Sequence, residues 1–308
     1  MQTILGANGI IGEELAKALR KKYTSNISLV GRNPKKVHPE DELVIADLLD
    51  PEHLKIALKQ TEIAYLTVGL PYSSEIWLRD WPKILQNVVE ACKAQQCKLV
   101  YFDNTYAYPQ DSHIQIEETV LAPKGKKGKA KKIAVQFVLE AINNQEIEAV
   151  ICRAPEFYGP GKTKSITNTL IFDPIKKGKK PKVFLRDDVL RTLIYTPDAS
   201  AAMALLGNTP EVYGETWHLP CDDQRLTYKQ FIAEISRQLK REIPYTILNT
   251  LTLKIASFFN ANARETQELL PRYRQDNIFD SSKFKKRFPN FEVTPYAKGI
   301  QTILSEML

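Results

Sequence analysis

A chain of 308 residues, 43% hydrophobic and 26% charged, has the balance of an ordinary soluble globular protein, with room for one large domain or two modest ones. No apolar run approaches the roughly 20 residues that a membrane-spanning helix needs, so no membrane span is expected. The formal charge is +7, but six lysines at 124, 126, 127, 129, 131 and 132 supply most of it, which weighs against a general nucleic-acid surface.

The opening MQTILGANGIIG reads as a strand from its first residues, with no basic leader or cleavage site, so the cytoplasm is the expected compartment. Short apolar runs then recur: TILGA, ISLVG, ELVIA, IAYLTVG, KLVYFD and EAVICRA. Their length and their Ile, Val, Leu and Tyr content predict fully buried parallel strands. Between them, IIGEELAKALRKKY, PEHLKIALKQ, WLRDWPKILQNVVEACKAQ and KAKKIAVQFVLEAINN carry apolar residues at helical spacing. In the last, Ile133, Phe137, Val138 and Ile142 are predicted to share the inner face. Strand alternating with helix over some 150 residues predicts an α/β fold with a Rossmann-type doubly wound parallel sheet.

Residues 1–153 are thus read as a dinucleotide-binding domain, completed by part of 187–221. Residues 154–308 are read as a smaller, mainly helical substrate region, punctuated by Gly and Pro. There TYKQFIAEISRQLKR predicts a helix with Thr227 as its N-cap. Cys92, Cys97, Cys152 and Cys221 have no metal-ligand spacing and read as buried free thiols. The four histidines form no cluster, and no metal is expected.

ILGANGIIGEELAKAL sets Gly6, Gly9 and Gly12 between the first strand and the first helix. Such a turn lets backbone approach a pyrophosphate while the helix N-terminus offers its unpaired N–H groups. The loop residues Asn8, Ile10 and Ile11 join the glycines as cofactor-binding candidates. The second strand ends at Gly31, Arg32 and Asn33 where an NAD-preferring site would carry an acid, so NADP is expected, with NAD the alternative. After the third strand, Asp47 and Leu48 are placed to meet the adenine.

These motifs resemble those of the extended and atypical short-chain dehydrogenases/reductases, the NAD(P)-dependent epimerase/dehydratase type. The resemblance covers most of the chain. It rests on the glycine spacing, on ADLLD with Asp47, on RAPEFYGPG (153–161), and on RTLIYTPDASAAMALL with Asp198. It implies hydride transfer at a carbonyl or sugar carbinol of a small-molecule substrate, at the carboxyl ends of the strands. It also implies a Ser or Thr after the fifth strand and a Tyr-x-x-x-Lys one helix later. The fifth strand ends YFDNTYAYP, which puts Asn104 at the hydroxyl position with Thr105 beside it. KGKAK (127–131) then keeps the lysine as Lys131, expected on the nicotinamide ribose, but has Lys127 where the Tyr belongs.

The lost Tyr leaves three readings. In an enzyme with substituted parts, Lys127, Tyr106 or Tyr108 moves the proton, and crowding among lysines depresses their pKa. Asp80 on the third helix is a further acid/base candidate. In a redox sensor or regulatory or assembly protein, the cofactor binds without turnover. In the third, the lysine run meets an anionic partner. Substrate-lining segments are expected in SITNTLIFDP, KVFLRDDVLR and LPRYRQDNIF, where Arg186, Arg191, Arg272 and Arg274 are either a phosphate or carboxylate clamp or surface charges. Helices at 74–95 and 129–143 lie where relatives form homodimers. Trp77, Trp81, Ile84 and Val88 there serve either that interface or the monomer core.

Overall fold

The computed structural model describes residues 1–307. In chain order the first elements are β1 (Gln2–Leu5), α1 (Ile10–Lys22), β2 (Ile27–Gly31), β3 (Glu42–Ile45) and α2 (Pro51–Ala57). Then come β4 (Ile63–Leu66), α3 (Ser74–Gln95), β5 (Lys98–Asn104), α4 (Lys126–Asn143), β6 (Ala149–Ala154) and β7 (Glu156–Tyr158). They are followed by α5 (Asp173–Lys176), β8 (Lys182–Phe184), β9 (Leu190–Arg191), β10 (Leu193–Tyr195), α6 (Thr196–Gly207) and β11 (Thr216–His218). The chain ends with β12 (Leu226–Thr227), α7 (Tyr228–Gln238), β13 (Thr246–Leu248), α8 (Thr250–Phe259), α9 (Ala261–Thr266), α10 (Ser282–Arg287) and α11 (Tyr296–Ser305).

Two compact units share these elements. The first holds Met1–Ala107, Pro123–Ala154 and Ala199–Leu219. Its sheet has seven parallel strands in the order β11-β6-β5-β4-β1-β2-β3. The apolar runs become buried strands because helices cover both faces of such a sheet. ELVIA is the exception: as β3 it forms the sheet edge, and Ile45 is 77% exposed. Strand order reverses between β1 and β4, which opens a crevice at their carboxyl ends, where the glycine loop lies.

Packing explains two of the three glycines. Gly6 has φ +91°, and a Cβ there would come within 2.5 Å of the Val68 Cα. A Cβ on Gly12 would meet the Ala7 Cα at 2.9 Å and Thr67 Oγ1 at 3.0 Å. Thr67 closes the arrangement by donating its hydroxyl to the Leu5 carbonyl at 3.2 Å.

Elsewhere in this unit, α3 packs along α4. Trp77, Trp81, Ile84 and Val88 are all buried in this unit, so they belong to the core of the single chain. The inner face of α4 differs from the one predicted. Ile133 is 44% exposed, and the buried stripe is Lys127, Ala130, Lys131, Ala134, Val138 and Ala141. Small alanines let α3 and α4 approach closely, and the register they impose turns two lysines inward. Lys124, Lys126 and Lys129 stay exposed. The lysine run is therefore a helix start with two faces.

The second unit holds Tyr108–Ala122, Pro155–Asp198 and Pro220–Leu308. It contains three two-stranded pairs, β7 with β10, β9 with β12 and β8 with β13, among helices α7 to α11. Thr227 caps α7 through a reciprocal bond with Gln230. Asp198, at the start of α6, accepts from the Thr294 N–H at 2.7 Å and its hydroxyl at 2.8 Å. Burial nevertheless pushes its carboxyl up to about 6 against those two bonds.

Two outcomes follow for stability. Gly6→Ala should lose about 2–4 kcal/mol in urea unfolding, because backbone strain and overlap with Val68 add. For Asp198, the folded chain holds the proton more tightly than the unfolded chain between about pH 4 and pH 6. Its contribution to stability therefore falls across that window as pH rises, by roughly 2–3 kcal/mol. Asp198→Asn should flatten that slope in unfolding midpoints taken from pH 4 to pH 7.

Candidate active site

The glycine loop ends in Gly9, the N-cap of α1, and no side chain caps that helix. A Cβ on Gly9 would meet nothing closer than the Gly6 carbonyl oxygen at 3.6 Å. Protein packing therefore does not require this glycine. Its missing side chain leaves an open cradle in front of the first-turn N–H groups of Ile10, Ile11 and Gly12, where a phosphate fits. Asn8 fixes the neighbouring loop: its amide donates to the Asn33 carbonyl at 2.6 Å, and its oxygen accepts the Lys35 N–H at 3.0 Å. Arg32 is exposed at the tip of β2 and makes no ion pair among the described residues. Asp47 is half-buried, and its carboxylate accepts the Leu49 N–H at 3.0 Å. Leu48 is buried.

At the carboxyl end of β5 the chain buries three charges. Asp103 takes Lys131 Nζ at 2.9 Å on one oxygen and Arg153 Nε at 3.0 Å on the other. All three residues are 3% exposed or less. Lys131 also donates to the Tyr101 hydroxyl and lies 3.7 Å from the centre of the Trp81 ring. Burial alone would raise the Asp103 carboxyl, but Lys131 and Arg153 outweigh it and hold it below the usual carboxylate range. Burial lowers the Lys131 ammonium, helped by Arg153 and opposed by Asp103. The expected cause, crowding among lysines, plays no part in that shift. Within the chain, Lys131 is held by Asp103 and Tyr101.

A second cluster lies at the start of α4. Lys127 is fully buried, donates to Ser74 Oγ at 3.1 Å, and sits 4.4 Å from the centre of the Tyr72 ring. The Tyr106 hydroxyl donates to the Tyr72 hydroxyl at 3.2 Å, and the Trp77 ring packs against Tyr106 at 5.1 Å between centres. Tyr72, Ser74 and Tyr106 are half-buried. Gly128 permits the approach, since a Cβ there would overlap the Tyr106 carbonyl oxygen and Pro123. Asn104 accepts the Tyr106 N–H at 3.0 Å through its side-chain oxygen, while its amide nitrogen donates to no described residue. Thr105 is buried in the turn that follows.

Two further sequence candidates are engaged by neighbouring residues of the chain. Tyr108 is fully buried and donates its hydroxyl to the Ile116 carbonyl at 3.0 Å. Asp80 is buried and gripped in bidentate fashion by Arg79. The Arg79 guanidinium, against the opposing effect of burial, keeps its carboxyl below the usual range. Tyr72 and Ser74 were not foreseen. Their signal was topological: GLPYSS leaves β4 at the same sheet edge as the glycine loop.

The family model for NAD dependent epimerases/dehydratases matches residues 3–219. The chain belongs to that family. Its fold is shared with solved members at low identity. The UDP-glucuronic acid 4-epimerase from Bacillus cereus, solved with UDP-glucuronic acid and NAD, superposes with a TM-score of 0.81 at 16% identity, covering 100% of this chain and 99% of that one. The dTDP-glucose 4,6-dehydratase from Streptomyces venezuelae, with NAD bound, gives 0.78 at 13%, covering 99% and 97%. No curated protein sequence matches the chain. Among the described residues no helix is long and apolar enough to cross a membrane.

The buried triad sets a measurable pH dependence. Asp103→Asn removes the only carboxylate facing Lys131 and Arg153 in that triad, and should cost about 3–5 kcal/mol at pH 7. Because the folded carboxyl titrates below its unfolded value, its contribution is complete above about pH 4 and is lost as pH falls through the depressed folded value. Urea unfolding should therefore show the gap between wild type and variant closing in acid.

Proposed function

We propose that this family member is an NADP-preferring oxidoreductase of the epimerase/dehydratase type, acting at a carbonyl or a sugar-type carbinol with a proton-handling set that replaces the family's Tyr. The observation that carries this reading is Gly9: its open side, before an uncapped helix N-terminus, has no role in packing and suits a bound pyrophosphate. Gly6, Asn8, Ile10, Ile11 and Gly12 complete that cradle. Arg32, with Asn33 and the Lys35 segment that Asn8 tethers, would meet a 2′-phosphate. Asp47 and Leu48 would flank the adenine.

A bound nicotinamide supplies or accepts the hydride. The protein's task is then to hold the substrate oxygen and move its proton. The uncommitted Asn104 amide can donate to that oxygen. The paired hydroxyls of Tyr106 and Tyr72 give a two-phenol path for the proton. Lys127, fixed by Ser74 beside the Tyr72 ring, favours negative charge as the phenol gives up its proton. Lys131 acts from behind, locking the start of α4 to β5 through Asp103.

A second reading, cofactor binding without turnover, is favoured by one observation: the Lys131 ammonium is already engaged by Asp103 and Tyr101. One set of experiments separates the two. Calorimetry should give NADPH at least about tenfold tighter binding than NADH, or about 1.4 kcal/mol. Gly9→Ala should lose that binding while its unfolding midpoint stays within about 0.5 kcal/mol of wild type. With a reducible carbonyl compound, Tyr106→Phe and Lys127→Met should each lower kcat by about 10²–10⁴ while NADPH still binds. NADPH binding with no oxidation by any carbonyl compound would favour the second reading, and no binding of either nucleotide would reject both.

A further inference from the structure

Two segments of the second unit turn unmatched chemistry towards solvent. One is α8, TLTLKIASFF (250–259), which Asn249 caps by accepting the Thr252 N–H at 2.8 Å. Its inner side is Leu253, which is buried and whose carbonyl accepts from the Gln267 amide at 2.9 Å. Leu251, Ile255, Phe258 and Phe259 recur at helical spacing on another side and are exposed, the two phenylalanines by 78% and 88%. Single exposed apolar residues need no explanation, but four along one stripe of one helix mark a contact surface.

The other segment is PIKKGKKPK (174–182). Lys176, Lys177, Lys179, Lys180 and Lys182 are all exposed, and none makes an ion pair among the described residues. β8 opens at Lys182 and pairs in parallel with β13, with Lys182 beside Thr246 and Phe184 beside Leu248. α8 begins two residues after Leu248, so one two-stranded pair holds the lysine run and the apolar helix together. The exposed Ile247 lies on the strand that joins them, and the exposed, unpaired Lys254 flanks the apolar stripe. No Asp or Glu occurs from 174 to 186 or from 243 to 264. Of the carboxylates just beyond β8, Asp188 is taken by Arg186 through bonds of 2.8 and 2.9 Å, and Asp187 accepts from the Tyr245 hydroxyl.

An occupant that suits both halves is apolar within and anionic at its surface. A second copy of this chain does not, because a two-fold contact through this face sets its lysines against the same lysines. Nucleic acid suits the lysines but leaves Leu251 and Ile255 uncovered. A bilayer with anionic headgroups covers the apolar side chains and meets the lysines together.

We propose that α8 is an interfacial helix, seating Leu251, Ile255, Phe258 and Phe259 in an anionic lipid surface while the lysines of 176–182 meet the headgroups. At ten residues, about 15 Å, it lies in the surface and does not cross. The proposal is independent of the oxidoreductase reading. Flotation of the full chain with vesicles tests it, using phosphatidylcholine alone and phosphatidylcholine with about 30% phosphatidylglycerol. Binding to the anionic vesicles should be at least about tenfold tighter than to the neutral ones, and about 0.5 M salt should remove most of that difference. Phe258→Ser combined with Phe259→Ser, both at largely exposed positions, should weaken anionic-vesicle binding by at least about tenfold. Lys179→Glu combined with Lys180→Glu should weaken it similarly while binding to neutral vesicles stays unchanged. That second pair lies outside α8, so it tests the proposal even if the helix variant fails to fold. Equal binding to both vesicle types, binding to neither, or a phenylalanine variant that binds as wild type does would overturn the proposal. Duplex DNA that displaces the anionic vesicles while the phenylalanine variant binds it unchanged would assign the lysines to nucleic acid instead. A dimer in sedimentation equilibrium that the phenylalanine variant abolishes, with no vesicle binding, would assign the stripe to a second copy.

Discussion

The Asp103 carboxylate, shared between Lys131 and Arg153, ties together the parts that build the candidate site. Asp103 lies on β5, Lys131 on α4 and Arg153 on β6, so one acceptor fixes a helix against two adjacent strands. Taking such charges out of water costs several kcal/mol per ion, and the attraction between them offsets this only where the geometry is close. Here both oxygens are used, at 2.9 and 3.0 Å, and the Trp81 and Tyr101 rings close around the ammonium. Burial depresses the Lys131 ammonium, and the two cations keep Asp103 ionised against that same burial. Removing one partner is therefore more damaging than any comparison of surface ion pairs would suggest.

With α4 anchored at Lys131, residue 127 follows by helical spacing. One turn earlier on the same face, it is carried to the mouth of the sheet beside Tyr72, Ser74 and Tyr106. The approach is close because Gly128 has no side chain to hold α4 off the turn after β5. The electrostatic anchor and the polar cluster are thus one construction. The glycine cradle is separate from it, positioned by β1 and by Thr67 after β4.

The sheet was legible because buried parallel strands demand continuous apolar runs, and six such runs preceded residue 155. β3 forms where ELVIA predicts a strand but is not buried, because among the described residues it pairs with β2 alone and forms the sheet edge. The inner face of α4 escaped for another reason. Alanines and two lysines are a weaker apolar signal than Ile133 and Phe137, yet small side chains were what the tight contact with α3 required. In the glycine loop, Gly6 and Gly12 answer to packing constraints, while Gly9 answers to no close contact within the chain. Tyr72 and Ser74 could not be read, because their role depends on which strand ends lie together, and that is a property of strand order. Asp103 was also missed. Nothing local distinguishes an aspartate inside an apolar strand until the cations that face it, 28 and 50 residues away, are in place.

The same buried triad fixes what a change at position 127 can do. A phenol placed there would complete the Tyr-x-x-x-Lys spacing that the sequence resemblance implies, since Lys131 already stands four residues on. The Lys131 ammonium would still be held by Asp103 and Tyr101. Freeing it means changing β5 as well as α4, and removing Asp103 alone leaves two buried cations facing each other. What a new side chain at 127 could do is thus set from another element of the fold.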